Sequence, residues 1–264
     1  MLGWSISLFR IFGIQLAVHA SFALLLAWFG WEGWQEGGAT GMWWSMLLIV
    51  LFFACVVLHE LGHSLTARRY GVRTPRILLM PIGGMAEMDR IPRKPSAELL
   101  ITIAGPAVNF VIAAVLLGVM WQSLWSGEGI PEYGFKELGF QLLVANVMMG
   151  TFNLLPVFPM DGGRILRALL ATRLPYLRAT WWAATVGKVL AIIFALVAAF
   201  YLERPLLFVL FLFIYYAGDA EYRQVRYREQ EAAYYAEMAR RAEAVRSGSD
   251  DPRDPPVIIV HGRN

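Results

Sequence analysis

The segment that most constrains this chain is WWSMLLIVLFFACVVLHELGHSLT, residues 43–66. It is long and apolar enough to cross a bilayer, yet its second half carries His59, Glu60 and His63. Ionisable groups in hydrocarbon are expensive and mark working sites. The rest of the composition agrees that hydrocarbon is the solvent. Of 264 residues, 58% are hydrophobic and 16% charged, where a soluble domain carries about a quarter charged residues. Cys55 is the single cysteine, so the chain forms no internal disulfide.

Apolar runs of about 20 residues, the length needed for a crossing, fall near residues 12–33, 43–66, 97–121, 138–156, 179–202 and 205–219. The expected fold is therefore an all-α polytopic membrane protein with six transmembrane helices. The N-terminal MLGWSISLFRIFGIQLAVHASFALLLAW lacks a small-residue cleavage site and reads as a retained first span. Twenty of the 23 basic residues lie at the N-terminus, after spans two and four, and in the C-terminal tail. The opposite loops, such as WEGWQEGGAT, carry mainly glutamates. The positive-inside rule then puts both termini in the cytoplasm of a multi-pass protein of the cell (inner) membrane. The net charge of +3 follows from this asymmetry and points to no nucleic-acid partner.

Between spans two and three, RILLMPIGGMAEMDRIP (76–92) is apolar but too short to cross, and Pro81, Gly83 and Gly84 interrupt any helix. It is expected to form a short membrane-dipping β-hairpin. Irregular backbone at that depth is tolerated where it lines a cavity. Two domains are expected: a membrane domain over residues 1–219, with core spans 43–66, 97–121 and 138–156, and a cytoplasmic segment over 220–264. That segment begins as a charged helix and becomes disordered after Arg246, with VIIV (257–260) as a strand-forming exception.

His59-Glu60-Leu61-Gly62-His63 is an H-E-x-x-H motif. Residues four apart share a helix face, so both imidazoles can meet one metal ion, with Glu60 placed to take a proton from a metal-bound water. A catalytic zinc usually has three protein ligands plus water. The best third candidate is Asp161 in NLLPVFPMDGGR, after Pro156 and Pro159 end the fourth span. Asp161 is otherwise an N-cap or a salt-bridge partner of Arg164. A zinc site short of one ligand favours coordination. Cys55 lies on the same face as the histidines but reads as a small apolar residue.

HELGH, AGPAVNF (104–110, a G-P-x-x-N pattern) and NLLPVFPMDGG (N-x-x-P-x-x-x-x-D-G), in this order, resemble the site-2 protease family, the intramembrane zinc metalloproteases of peptidase family M50. VHASFALLLAW and GGMAEM are similar to its six-span branch, here without PDZ or CBS domains. The resemblance covers about residues 12–219. It implies one zinc per chain held by His59, His63 and Asp161, with Glu60 as general acid/base. It also implies a place for Asn153 near the metal, where it orients substrate or oxyanion; a helix–helix hydrogen bond is the other reading of that residue. Asn109 would tie span three to its neighbours, and His19 would either rim the cavity or pack at the interface. The implied reaction is hydrolysis of peptide bonds within or next to the transmembrane helix of a single-span membrane-protein substrate, in the lipid bilayer. The alternative is a zinc-binding membrane protein without proteolysis, either a metal carrier or a membrane-helix scaffold.

Overall fold

A computed structural model of the chain describes residues 4–81, 83–89, 92–125, 133–200 and 205–247. Two strands, β1 (Ser5–Ile11) and β2 (Ile14–His19), precede helix α1 (Ser21–Arg69). Strands β3 (Arg76–Met80) and β4 (Gly83–Glu87) follow. Helices α2 (Pro95–Trp125), α3 (Phe135–Asn153), α4 (Asp161–Ala171), α5 (Tyr176–Phe200) and α6 (Pro205–Ser247) complete the described chain.

Helix α1 is two helices joined at Gly37 and Gly38, whose backbone angles are not helical. Gly38 has φ +58°, a left-handed conformation that glycine adopts without strain. The two legs pack side by side. The Phe22 and Phe53 rings meet at 4.7 Å, and a Cβ on Gly30 would touch Met46 Sδ at 3.3 Å. Gly33 and Gly41 bring the backbones together near the turn, a small-residue contact suited to helices in a membrane.

The four strands form one sheet in the order β1-β2-β3-β4. β1 and β2 are antiparallel, β2 and β3 parallel, and β3 and β4 antiparallel. The α1 hairpin is the crossover between the parallel pair. Ile14, Leu16, Ile77 and Leu79 of the sheet pack on Ile49, Phe53, Val56, Val57 and Leu61 of the second α1 leg. The sheet thus braces the helix that carries His59 and His63.

Among the described residues, three helices are long and apolar enough to cross a membrane: α1, the Pro95–Trp121 part of α2, and α5. The mainly helical architecture matches the expectation, but the chain is not all-α. The expected 76–92 hairpin exists as β3 and β4, and it is half of a four-stranded sheet. The first expected span, 12–33, loses its opening residues to β2, so that the helix begins at Ser21. Phe12 (φ +51°) and Gly13 (φ +84°) make the β1–β2 turn, a hairpin geometry with both central residues left-handed. Ile14, Leu16 and Ala17 are all buried. A strand covered on both faces reads as a continuous apolar run, which is why β2 looks like the start of a helix. His19 ends that strand, and its Nδ1 accepts a hydrogen bond from the Ser21 N–H (3.2 Å) at the start of α1. It is a helix-terminus partner.

Helix α6 runs without a break past residue 219 to Ser247. Of the segment expected to be disordered after Arg246, Ser247 is still helical; the rest of it, with VIIV, lies outside the described residues. The charged half of α6 is tied back to the rest of the chain. Glu221 accepts from Arg167 Nη1 of α4 at 2.7 Å, and Asp219 pairs with Lys188 of α5 at 3.2 Å. Arg167 also binds Glu98 of α2 through Nε at 2.7 Å, and both of these side chains are buried. Removing one member of a buried ion pair strands the other charge, typically at about 3–5 kcal/mol. Arg167→Met is therefore expected to lower the thermal midpoint strongly, and Glu98→Met in the same chain to recover much of the loss. Equal stability of Arg167→Met and wild type in a detergent melt would contradict this role.

Candidate metal centre

His59 and His63 lie one turn apart on the second leg of α1, and their rings meet edge to face with centroids 4.7 Å apart. Asp161 is the first residue of α4, following an extended Met160. It does not cap the helix with its side chain. Its carboxylate turns to the histidines, with Oδ2 3.3 Å from His59 Nε2 and 3.2 Å from His63 Nε2. The two Nε2 atoms are 3.1 Å apart. All three residues are buried, at 5%, 5% and 6% exposure.

The far side of each ring shows what this cluster suits. His63 Nδ1 is 2.8 Å from the Ile101 carbonyl oxygen, and His59 Nδ1 is 2.6 Å from Asn109 Oδ1. Both partners only accept, so each Nδ1 carries the proton and each Nε2 presents a lone pair. Asp161 Oδ2 is itself buried without a hydrogen-bond donor. Three electron-pair donors converging within 3.3 Å repel one another unless a cation joins them. Two imidazole nitrogens and one carboxylate oxygen are a donor set that suits zinc, three protein ligands being the number that leaves a tetrahedral ion's fourth position to water or substrate.

The loop before Asp161 is held from behind. Val157 and Met160 pack with Ala191 of α5 and Ile214 of α6, and Phe158 with Ala183 and Ala184. The two glycines after Asp161 let α4 sit against this loop; a Cβ on Gly163 would come within 2.7 Å of the Phe158 backbone nitrogen.

Glu60 lies beside the cluster, half-buried, facing β4. A Cβ on Gly84 would lie 2.8 Å from Glu60 Cγ and 3.2 Å from Glu60 Oε1. The hairpin therefore borders the centre. Asn153 is placed differently from the other sequence candidates: its Nδ2 donates to the Met149 carbonyl in its own helix at 3.1 Å. Cys55 packs with Leu138 and Leu142 in an apolar cluster.

None of three further contributors was placed at the centre from the sequence. Asn109 does tie α2 to α3, through Asn146 at 3.0 Å, but it also faces His59. Asn146 is fully buried, and a polar amide in an apolar run is the signal that could have flagged it. Gly105 abuts the centre itself, since a Cβ there would lie 2.8 Å from His59 Nε2 and overlap His63 Nε2.

The sequence matches peptidase family M50 over residues 47–127 and 126–194, segments that contain both histidines, Glu60 and Asp161. A zinc metalloprotease of Methanocaldococcus jannaschii is 43% identical over 224 residues, covering 85% of this chain and 62% of that protein. Rip3 of Mycobacterium tuberculosis is 32% identical over 198 residues, covering 72% of this chain and 50% of its own length. The chain thus spans between half and two thirds of these relatives. A solved structure, the site-2 protease from Methanocaldococcus jannaschii, superposes with a TM-score of 0.59 at 42% identity, covering 83% of this chain and 95% of that one.

Proposed function

The chain belongs to peptidase family M50, the site-2 protease family, and on that premise we propose that it is an intramembrane zinc metalloprotease. It cleaves peptide bonds within or next to the transmembrane helix of a single-span membrane protein. The observation that carries this reading is the convergence of His59 Nε2, His63 Nε2 and Asp161 Oδ2 within 3.3 Å, with both Nδ1 atoms already committed to acceptors.

His59, His63 and Asp161 hold one zinc. The bound ion supplies Lewis acidity, lowering the pKa of water and polarising a carbonyl. Glu60 takes the proton from the attacking water and delivers it to the leaving amine. Burial of the three ligands keeps bulk water from the centre, which strengthens every electrostatic interaction there. A helical substrate has its carbonyls tied up in helix hydrogen bonds, so the cleaved segment must unwind before it meets Glu60. Asn153 is given a substrate-binding role here; the one Nδ2 hydrogen it donates to the Met149 carbonyl does not use up the hydrogen-bonding capacity of its amide.

The protein sits in the cell (inner) membrane. Residues 1–219 form the protease domain with six crossings, two of them the legs of α1, and residues 220–264 extend into the cytoplasm. The basic residues gathered after the second and fourth crossings and in the C-terminal tail support this orientation.

Comparing the membrane proteomes of cells carrying wild-type or Glu60→Gln protein tests the function directly. A single-span protein should accumulate uncut with the variant. Identical proteomes in cells where the wild type is zinc-loaded would overturn the protease reading and favour a scaffold or carrier.

A further inference from the structure

His63 and His59 are oriented by different means. The Nδ1 of His63 meets a backbone carbonyl, that of Ile101, at 2.8 Å. A carbonyl can only accept, so one contact fixes that ring as the Nδ1–H tautomer. The Nδ1 of His59 meets the side-chain amide of Asn109. An amide carries an acceptor at one end and a donor at the other, and on its own it can present either. If Asn109 offered its NH2 group, His59 would have to carry its proton on Nε2, the atom that faces Asp161 and His63.

What holds Asn109 one way round lies a further link away. Asn109 Nδ2 donates to Asn146 Oδ1 at 3.0 Å, and Asn146 Nδ2 donates to the Leu142 carbonyl at 2.8 Å. The last acceptor has no alternative role, so the direction of every bond in the series is set from that end. Both asparagines are fully buried, away from bulk solvent.

We propose that Asn146 is a positioning residue for the metal centre: through Asn109, it transmits the fixed polarity of the Leu142 carbonyl to His59 and locks that ring with its Nε2 lone pair toward the zinc position. This rests on the zinc-binding reading above and names the residue that makes one of its ligands competent. The series from Leu142 to His59 spans α3, α2 and α1, so the packing of α3 against α2 enters the affinity of a site to which α3 contributes no ligand.

Zinc affinity of the detergent-purified full chain, measured by competition with a chelator, tests this, with a thermal melt alongside. Asn146→Leu keeps the volume and removes the reference, so Asn109 is free to turn. Zinc affinity should fall about 10–100-fold, the usual effect of losing a partner behind a metal ligand. The decisive variant adds Asn109→Asp. An ionised aspartate accepts with either oxygen and needs no polarity from residue 146, so the double variant should recover most of the lost affinity. A purely structural role for Asn146 predicts a lower melting temperature with no recovery on adding Asn109→Asp. Where Asn146→Leu does not fold, Asn146→Ala takes its place with the same expectations.

Unchanged affinity in the single variant, or a double variant no tighter than the single, overturns the proposal. A wild type that binds zinc tightly with an indifferent Asn146→Leu overturns this inference alone. A folded wild type without zinc affinity overturns it together with the metalloprotease reading.

Discussion

Glu60→Gln is expected to lower the rate of substrate cleavage by about 10²–10⁴-fold, the range that positioned general acid–base groups supply, while leaving zinc content at the wild-type level. The two effects separate because Glu60 is not one of the three converging donors, which come from His59, His63 and Asp161. Glutamine keeps the shape of the side chain beside Gly84 but cannot take up a proton at neutral pH. A rate measurement on any cleaved membrane substrate, with metal analysis of the same sample, reads both quantities. A variant that cleaves at the wild-type rate would remove Glu60 from the chemistry. A variant that loses its zinc would make Glu60 a ligand or its support.

Gly105→Ala should be nearly as damaging by the opposite route, through loss of the metal. The added methyl would overlap His63 Nε2 and lie 2.8 Å from His59 Nε2. Little can yield, because α1 and α2 already touch at this crossing: a Cβ on Gly62 would meet the Ala104 carbonyl oxygen at 2.7 Å. Zinc affinity is expected to drop at least 10-fold, with the helix itself tolerating or welcoming alanine. Gly118→Ala is the matched control, since it lies on the same helix with nothing within 4 Å of the added carbon. Equal chelator competition curves for the two variants would contradict the placement of Gly105 against the donor atoms.

Legibility of the chain in its sequence followed the range of the interactions involved. His59, Glu60 and His63 are visible because a four-residue spacing on a helix is a local fact. Asp161 could be paired with them because a carboxylate between apolar runs needs a cation. The hairpin at β3–β4 was visible from Pro81, Gly83 and Gly84, whereas its continuation into β1 and β2 was not. Gln15–Val18 pair with Arg76–Leu79 across the whole of α1, and a doubly covered strand has the apolar texture of a span. The links behind the centre are longer still. Asn109 and Asn146 meet across 37 positions, and Arg167 meets Glu98 across 69. No periodicity within either segment records the other.

The central claim is that His59, His63 and Asp161 together hold one zinc ion. It is tested most directly by counting zinc per chain in detergent-purified protein, wild type beside Asp161→Ala. The account predicts about one zinc in the wild type and clearly weaker retention in the variant, whose two histidines are left without the carboxylate now 3.2 and 3.3 Å away. A well-folded wild type that carries no zinc, or an Asp161→Ala protein that holds it as firmly as the wild type, would contradict the ligand set.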